Sequence, residues 1–123
     1  MSAYRRKTHN LKERKQAMIE GRTAPLEIAR RVLNPETIRQ VKADGFSNSA
    51  YLILDRWALN SPELLQAWEA RGEHFLLTRL EQQMTLEART LGSDAAWEMS
   101  ERGMSHWEIL EQLGIDTELR TIE

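Results

Sequence analysis

The stretch from Ser61 to Gly92, SPELLQAWEARGEHFLLTRLEQQMTLEARTLG, constrains the fold most, because no other part of the chain carries so long a regular pattern. Leu65, Trp68, Gly72, Leu76, Leu80, Met84, Ala88 and Leu91 recur at steps of three or four, which places one stripe along one helix face. Ser61 before Pro62 and Glu63 is a helix start: its hydroxyl can accept an otherwise unpaired N–H, and proline in the first turn sacrifices no hydrogen bond. Gly92 is the matching stop. Unbroken, such a helix would run about 30 residues and about 45 Å, a spine for the domain. Gly72 is its weak point. In a helix interior glycine costs about 1 kcal/mol relative to alanine, so it marks either a close helix crossing or a break between Arg71 and Glu73.

Shorter helices are expected on both sides of that spine. Thr23 and Pro25 open a segment carrying Leu26, Ile28, Ala29, Val32 and Leu33, ended by Asn34 and Pro35. Pro35 and Glu36 start another, with Ile38 and Val41 inward and Arg39 and Lys42 outward, stopping at Asp44 and Gly45. SNSAYLILDRWAL, residues 47 to 59, is the most apolar segment and reads as a core helix, there being no second strand candidate to pair with it. Ser93 caps a helix over Asp94 to Arg102. Ser105 and Glu108 have the S-x-x-E spacing of a capping box that opens His106 to Leu113 before Gly114. The expected fold is therefore all-α: a compact bundle of five to seven helices around a long helix near 62–91, with a C-terminal helical hairpin. Residues 1–20 read as a basic, partly disordered arm and 21–123 as a single helical domain, with 21–92 the main bundle and 93–123 the acidic hairpin.

Charge divides the chain more sharply than its net value of −2 implies. Residues 1–45 hold eleven Lys/Arg against five Asp/Glu, net +6, whereas residues 93–123 hold two against eight, net −6. A basic end suits an acidic partner and an acidic end a basic one; the two ends could equally neutralise each other within the fold or across a dimer. The cationic side chains that could lie along nucleic-acid phosphates are Arg5, Arg6, Lys7, Lys12, Arg14 and Lys15 in the arm, with Arg30, Arg31, Arg39 and Lys42 as the structured contacts. Two segments resemble a generic helix-turn-helix. In PLEIARRVLNPETIRQV, Ile28, Ala29, Val32 and Ile38 fall at buried positions and Arg39 and Lys42 could face a groove, although the link lacks the turn glycine. GMSHWEILEQLGIDTELRTI has the better spacing, but Asp116, Glu118 and Glu123 would repel phosphate, so it reads as a helical hairpin.

Other chemistries find little support. The absence of cysteine removes thiol catalysis, Cys-based zinc sites and disulfides together. His9, His74 and His106 lie on separate segments, none with a second ligand at metal-binding spacing. Glycines are scattered as helix stops and form no phosphate-binding loop, so neither an enzyme nor a cofactor is expected. The longest strictly apolar run, Ala50 to Leu54, is far too short to span a bilayer, and the chain is expected to be cytoplasmic. Two function classes remain. The first is a small nucleic-acid-associated accessory or regulatory protein using the basic N-terminal third. The second is a protein-interaction module, inhibitor-like or antitoxin-like, acting through the acidic hairpin with Trp97 and Trp107 as anchors. A homo-oligomer is expected in either case, because so long an amphipathic helix outruns its own partners.

Overall fold

The computed structural model describes residues 24–121. These form a bundle of six α-helices with no strand among the described residues: α1 (Pro35–Ala43), α2 (Asn48–Asn60), α3 (Pro62–Arg71), α4 (Glu73–Leu91), α5 (Asp94–Glu101) and α6 (His106–Gln112). The helix α2 is central. It packs on α4, α3 and a short 3-10 turn at Ala29–Arg31, while α4 carries α6 and α5 on its C-terminal half. Trp57, Leu54 and Ala50 of α2, Leu65 of α3 and Leu76 and Leu80 of α4 are fully enclosed and form the middle of one core.

The spine is broken, and at the glycine. Gly72 has φ +140° and ψ +137° and separates α3 from α4, an angle that side-chain-bearing residues avoid. Its N–H bonds the Glu69 carbonyl at 3.0 Å and its carbonyl accepts the Leu76 N–H at 3.1 Å, so α3 ends and α4 begins on the same residue. A bend there lets Leu65 and Leu76 turn into one core; a straight rod could not fold back on α2 from both halves. The long helix is thus corrected to two ordinary ones, of 10 and 19 residues, and with it goes the unpartnered apolar length that made self-association expected.

A second correction concerns the helix expected over 26–33. The chain there makes turns and one 3-10 turn. Leu26 sits at φ +68° with its side chain 2% exposed, a conformation that a non-glycine residue holds only when its surroundings impose it. The imposing group is Asp55. Its carboxylate, 1% exposed in the middle of α2, accepts the N–H groups of Leu26 (2.9 Å), Ile28 (3.2 Å) and Ala29 (2.8 Å). Asp55 thus acts as a tertiary cap; the local cap expected at Thr23 lies outside the described residues, as do residues 1–23 generally.

The remaining elements follow the sequence closely. Ile38 and Val41 of α1 are buried, with Arg39 and Lys42 exposed. Ser93 accepts the Ala96 N–H, and Ser105 and Glu108 form the reciprocal capping box. Residues 115–121 hold no helix and lie along the bundle as a strap, with Thr117 and Leu119 buried. That strap is where a helix-turn-helix reading of residues 103–122 would need its second helix, so the segment is a hairpin followed by a strap.

Candidate functional site

The basic segment was the leading site by sequence. Arg5, Arg6, Lys7, Lys12, Arg14 and Lys15 lie outside the described residues. Within residues 24–45 the charge is nearly balanced, four Lys/Arg against three Asp/Glu. Arg30 and Arg31 both reach the Glu27 carboxylate at 3.0 Å, and their hydrogen bonds hold that carboxyl below its ordinary pKa. Arg39 pairs with Glu36. Only Lys42 of this set has no carboxylate partner among the described residues. All four side chains are exposed, but without a helix at 26–33 they do not present a helix-turn-helix.

The acidic hairpin divides its two tryptophans. Trp107 is 7% exposed and borders a small cleft, of about 100 Å³, between α2, α4 and α6 that is too tight for an organic ligand. Trp97, on α5, is 64% exposed, the most open large apolar side chain among the described residues. Asp94 and Glu101 stand three residues before it and four after it, positions that share its helix face, with Glu98 beside them. The indole thus has two carboxylates on its own helix face, while Glu98 pairs with Arg102 at 3.9 Å.

A third feature exists only because Gly72 bends the chain, so no local sequence pattern marks it. The α3–α4 elbow encloses an open groove of about 580 Å³ lined by Trp68, Arg71, His74, Phe75, Arg79 and their neighbours, with no Asp or Glu in its wall. Phe75, 36% exposed, stacks on Trp68 at 4.8 Å, and the Arg71 guanidinium stands 4.8 Å over the Phe75 ring. Arg79 is half-buried above the Trp57 ring at 5.3 Å and has no ion pair within 4.0 Å among the described residues. Burial holds its pKa below the ordinary arginine value, opposed by the more distant charges of Asp116 and Glu87. The groove therefore combines aromatic and cationic side chains in one wall.

Beneath these surfaces lies a buried polar network that is structural in its connections. Arg56 and Glu87, 3% and 10% exposed at the side chain, pair at 2.5 Å between α2 and α4. Gln83 donates to Glu87 (2.7 Å) and to the Asp116 carbonyl (3.0 Å). The Thr117 carbonyl accepts both Arg56 Nε (3.1 Å) and Trp57 Nε1 (2.9 Å), and the Arg120 carbonyl accepts Trp68 Nε1 (2.9 Å). The four bonds to the carbonyls of Asp116, Thr117 and Arg120 fasten the strap to the core. Burial pushes the Asp55 carboxyl above its ordinary pKa, with the three N–H donors pulling the other way. The signal for these groups was present in the sequence: Asp55 and Arg56 interrupt the most apolar run of the chain, where a charge must find a partner or destabilise the fold.

Among the described residues no three potential ligands cluster around a point that could hold a metal ion, and no helix is long and apolar enough to cross a membrane. Compared with known proteins, the chain matches no family model, and neither a curated protein nor a solved structure is significantly similar to it.

Proposed function

We propose that the chain is a small, non-enzymatic protein-interaction module that engages a basic partner through its acidic C-terminal hairpin. The observation that carries this reading is Trp97, an indole 64% exposed on a capped helix with Asp94 and Glu101 at positions sharing its face. Leaving so large an apolar surface in water forgoes burial worth about 25 cal/mol per Å², and tryptophan is the residue type most enriched among energetic anchors of interfaces. The surrounding Asp94, Glu98 and Glu101 would steer a positively charged surface towards it and repel nucleic acid.

The test is a photoreactive phenylalanine analogue placed at position 97 of the full chain and irradiated in extract of the source cells. A discrete cross-linked protein is expected, absent when the analogue replaces the exposed Ala70 and diminished by Glu101→Lys. Equal cross-linking from both positions would end the proposal.

Nucleic-acid association remains a second reading, favoured by one observation: residues 1–23 carry seven Lys/Arg against two Glu. Such an arm binds phosphates by counterion release, so affinity for random duplex DNA would fall steeply with salt. Neutralising Arg5, Arg6, Lys7, Lys12, Arg14 and Lys15 together is expected to abolish binding at low salt. Neutralising Arg30, Arg31 and Arg39, already paired with Glu27 and Glu36, is expected to change it little. Unchanged binding after the first set is neutralised would reject this reading.

A further inference from the structure

We propose that the partner of the Trp97 face is a second copy of this chain: Trp97 of one protomer docks in the α3–α4 elbow groove of the next, making a head-to-tail contact. The inference rests on the reading of Trp97 as an anchor and adds the identity of what receives it.

The two surfaces complement each other in apolar character and in charge. The knob is one indole flanked on its own helix face by Asp94 and Glu101. The hole is lined by Trp68 and Phe75 together with Arg71, His74 and Arg79, and by no carboxylate. Its volume of about 580 Å³ admits an indole and the first turn around it. Arg79 supplies the electrostatic motive: a half-buried guanidinium with no ion pair of its own among the described residues, which a carboxylate arriving beside the indole would complete.

The surfaces cannot meet within one molecule. Phe75 lies in the first turn of α4 and Leu91 ends it, a separation of roughly 24 Å along the helix axis at 1.5 Å per residue. Trp97 sits only one turn into α5, which follows the far end. Knob and hole thus occupy opposite ends of α4, and a contact between them must join two chains. Because the two surfaces differ, the contact is heterologous: each copy retains an unused knob or hole and can recruit another. One indole in one groove is a small interface, so the association should be weak and sensitive to salt.

Sedimentation of the full chain from about 10 µM to about 1 mM, concentrations suited to a weak contact, tests this. The wild type is expected to rise above its 14.3 kDa monomer mass without stopping at a dimer. Trp97→Ala and Arg71→Glu, both at exposed positions, should each weaken association at least tenfold. Mixed one to one, they should form a dimer and nothing larger, because one intact knob then meets one intact hole. A wild type that stays monomeric throughout, a Trp97→Ala chain that associates like the wild type, or a mixture that fails to complement would each overturn the proposal. Monomeric wild type together with a foreign cross-linked protein at position 97 would reject self-docking while leaving the interaction-module reading in place.

Discussion

Asp55 shows how one side chain sets the course of a distant segment. Without its carboxylate, two buried N–H groups and one half-buried one lose their acceptors and Leu26 loses what holds it at positive φ. Unsatisfied buried donors cost about 1–3 kcal/mol each when they cannot relax to water. Asp55→Ala is therefore expected to lower unfolding stability by about 3 kcal/mol in urea titration; a loss below about 1 kcal/mol would show that the 3-10 turn holds itself. Gly72 is the converse case, a residue required for its backbone alone. An added Cβ would meet only Phe75 Cβ at 3.9 Å, so space is available and the cost of Gly72→Ala is the strained φ, about 1–2 kcal/mol. Both residues were visible in the sequence to different degrees. A glycine inside an apolar stripe announces itself, although the stripe cannot say whether the helix tolerates it or breaks. Asp55 sits where a helical pattern predicts outward or inward equally, and its partners are 26 to 29 residues away.

Helix α4 illustrates why a stripe of apolar residues locates an element better than it locates its buried face. Leu76 and Leu80 are fully buried as the pattern requires, but Ala88 is exposed, and Gln83 and Glu87 take the inner face instead. They do so because the strap and Arg56 supply hydrogen-bond partners there, information that no local window contains. Removing one member should be far worse than removing the pair: Arg56→Met leaves Glu87 buried and unpaired, at a cost of about 3–5 kcal/mol, whereas Arg56→Met with Glu87→Leu should recover most of that loss. Equal stability of the single and double variants would show that the pair is not coupled. The strap has a smaller electrostatic tie of its own. Arg120 binds Asp116 at 2.6 and 2.8 Å and holds that carboxyl below its ordinary pKa. A depressed native value means that the stabilisation is present above the ordinary value and is lost as pH falls through the native one. Both groups are well exposed, so the wild type should be only marginally more stable than Arg120→Gln at neutral pH, and the difference should vanish in strong acid. A difference that grows on acidification would contradict this assignment.

For the molecule as a whole, the helical class, the capped hairpin, the inward face of α1 and the core position of α2 followed from period, caps and composition. The elbow groove did not, since its walls come from two helices that meet only because Gly72 bends the chain. The tryptophans shared a sequence signature and separated by environment: Trp57 and Trp107 are buried, Trp68 is half-buried, and Trp97 stands in solvent. That separation makes the functional account directly measurable. In a ¹⁵N-edited spectrum the indole N–H signals report each ring individually, and those of Trp57 and Trp68 are hydrogen-bonded to the strap. As protein concentration rises from about 10 µM to about 1 mM, the Trp97 and Trp68 signals should shift together as knob enters groove, while Trp57 stays fixed. A Trp97 signal that does not move over that range, with the protein alone or with its cross-linked partner added, would contradict the claim that this indole is the docking surface.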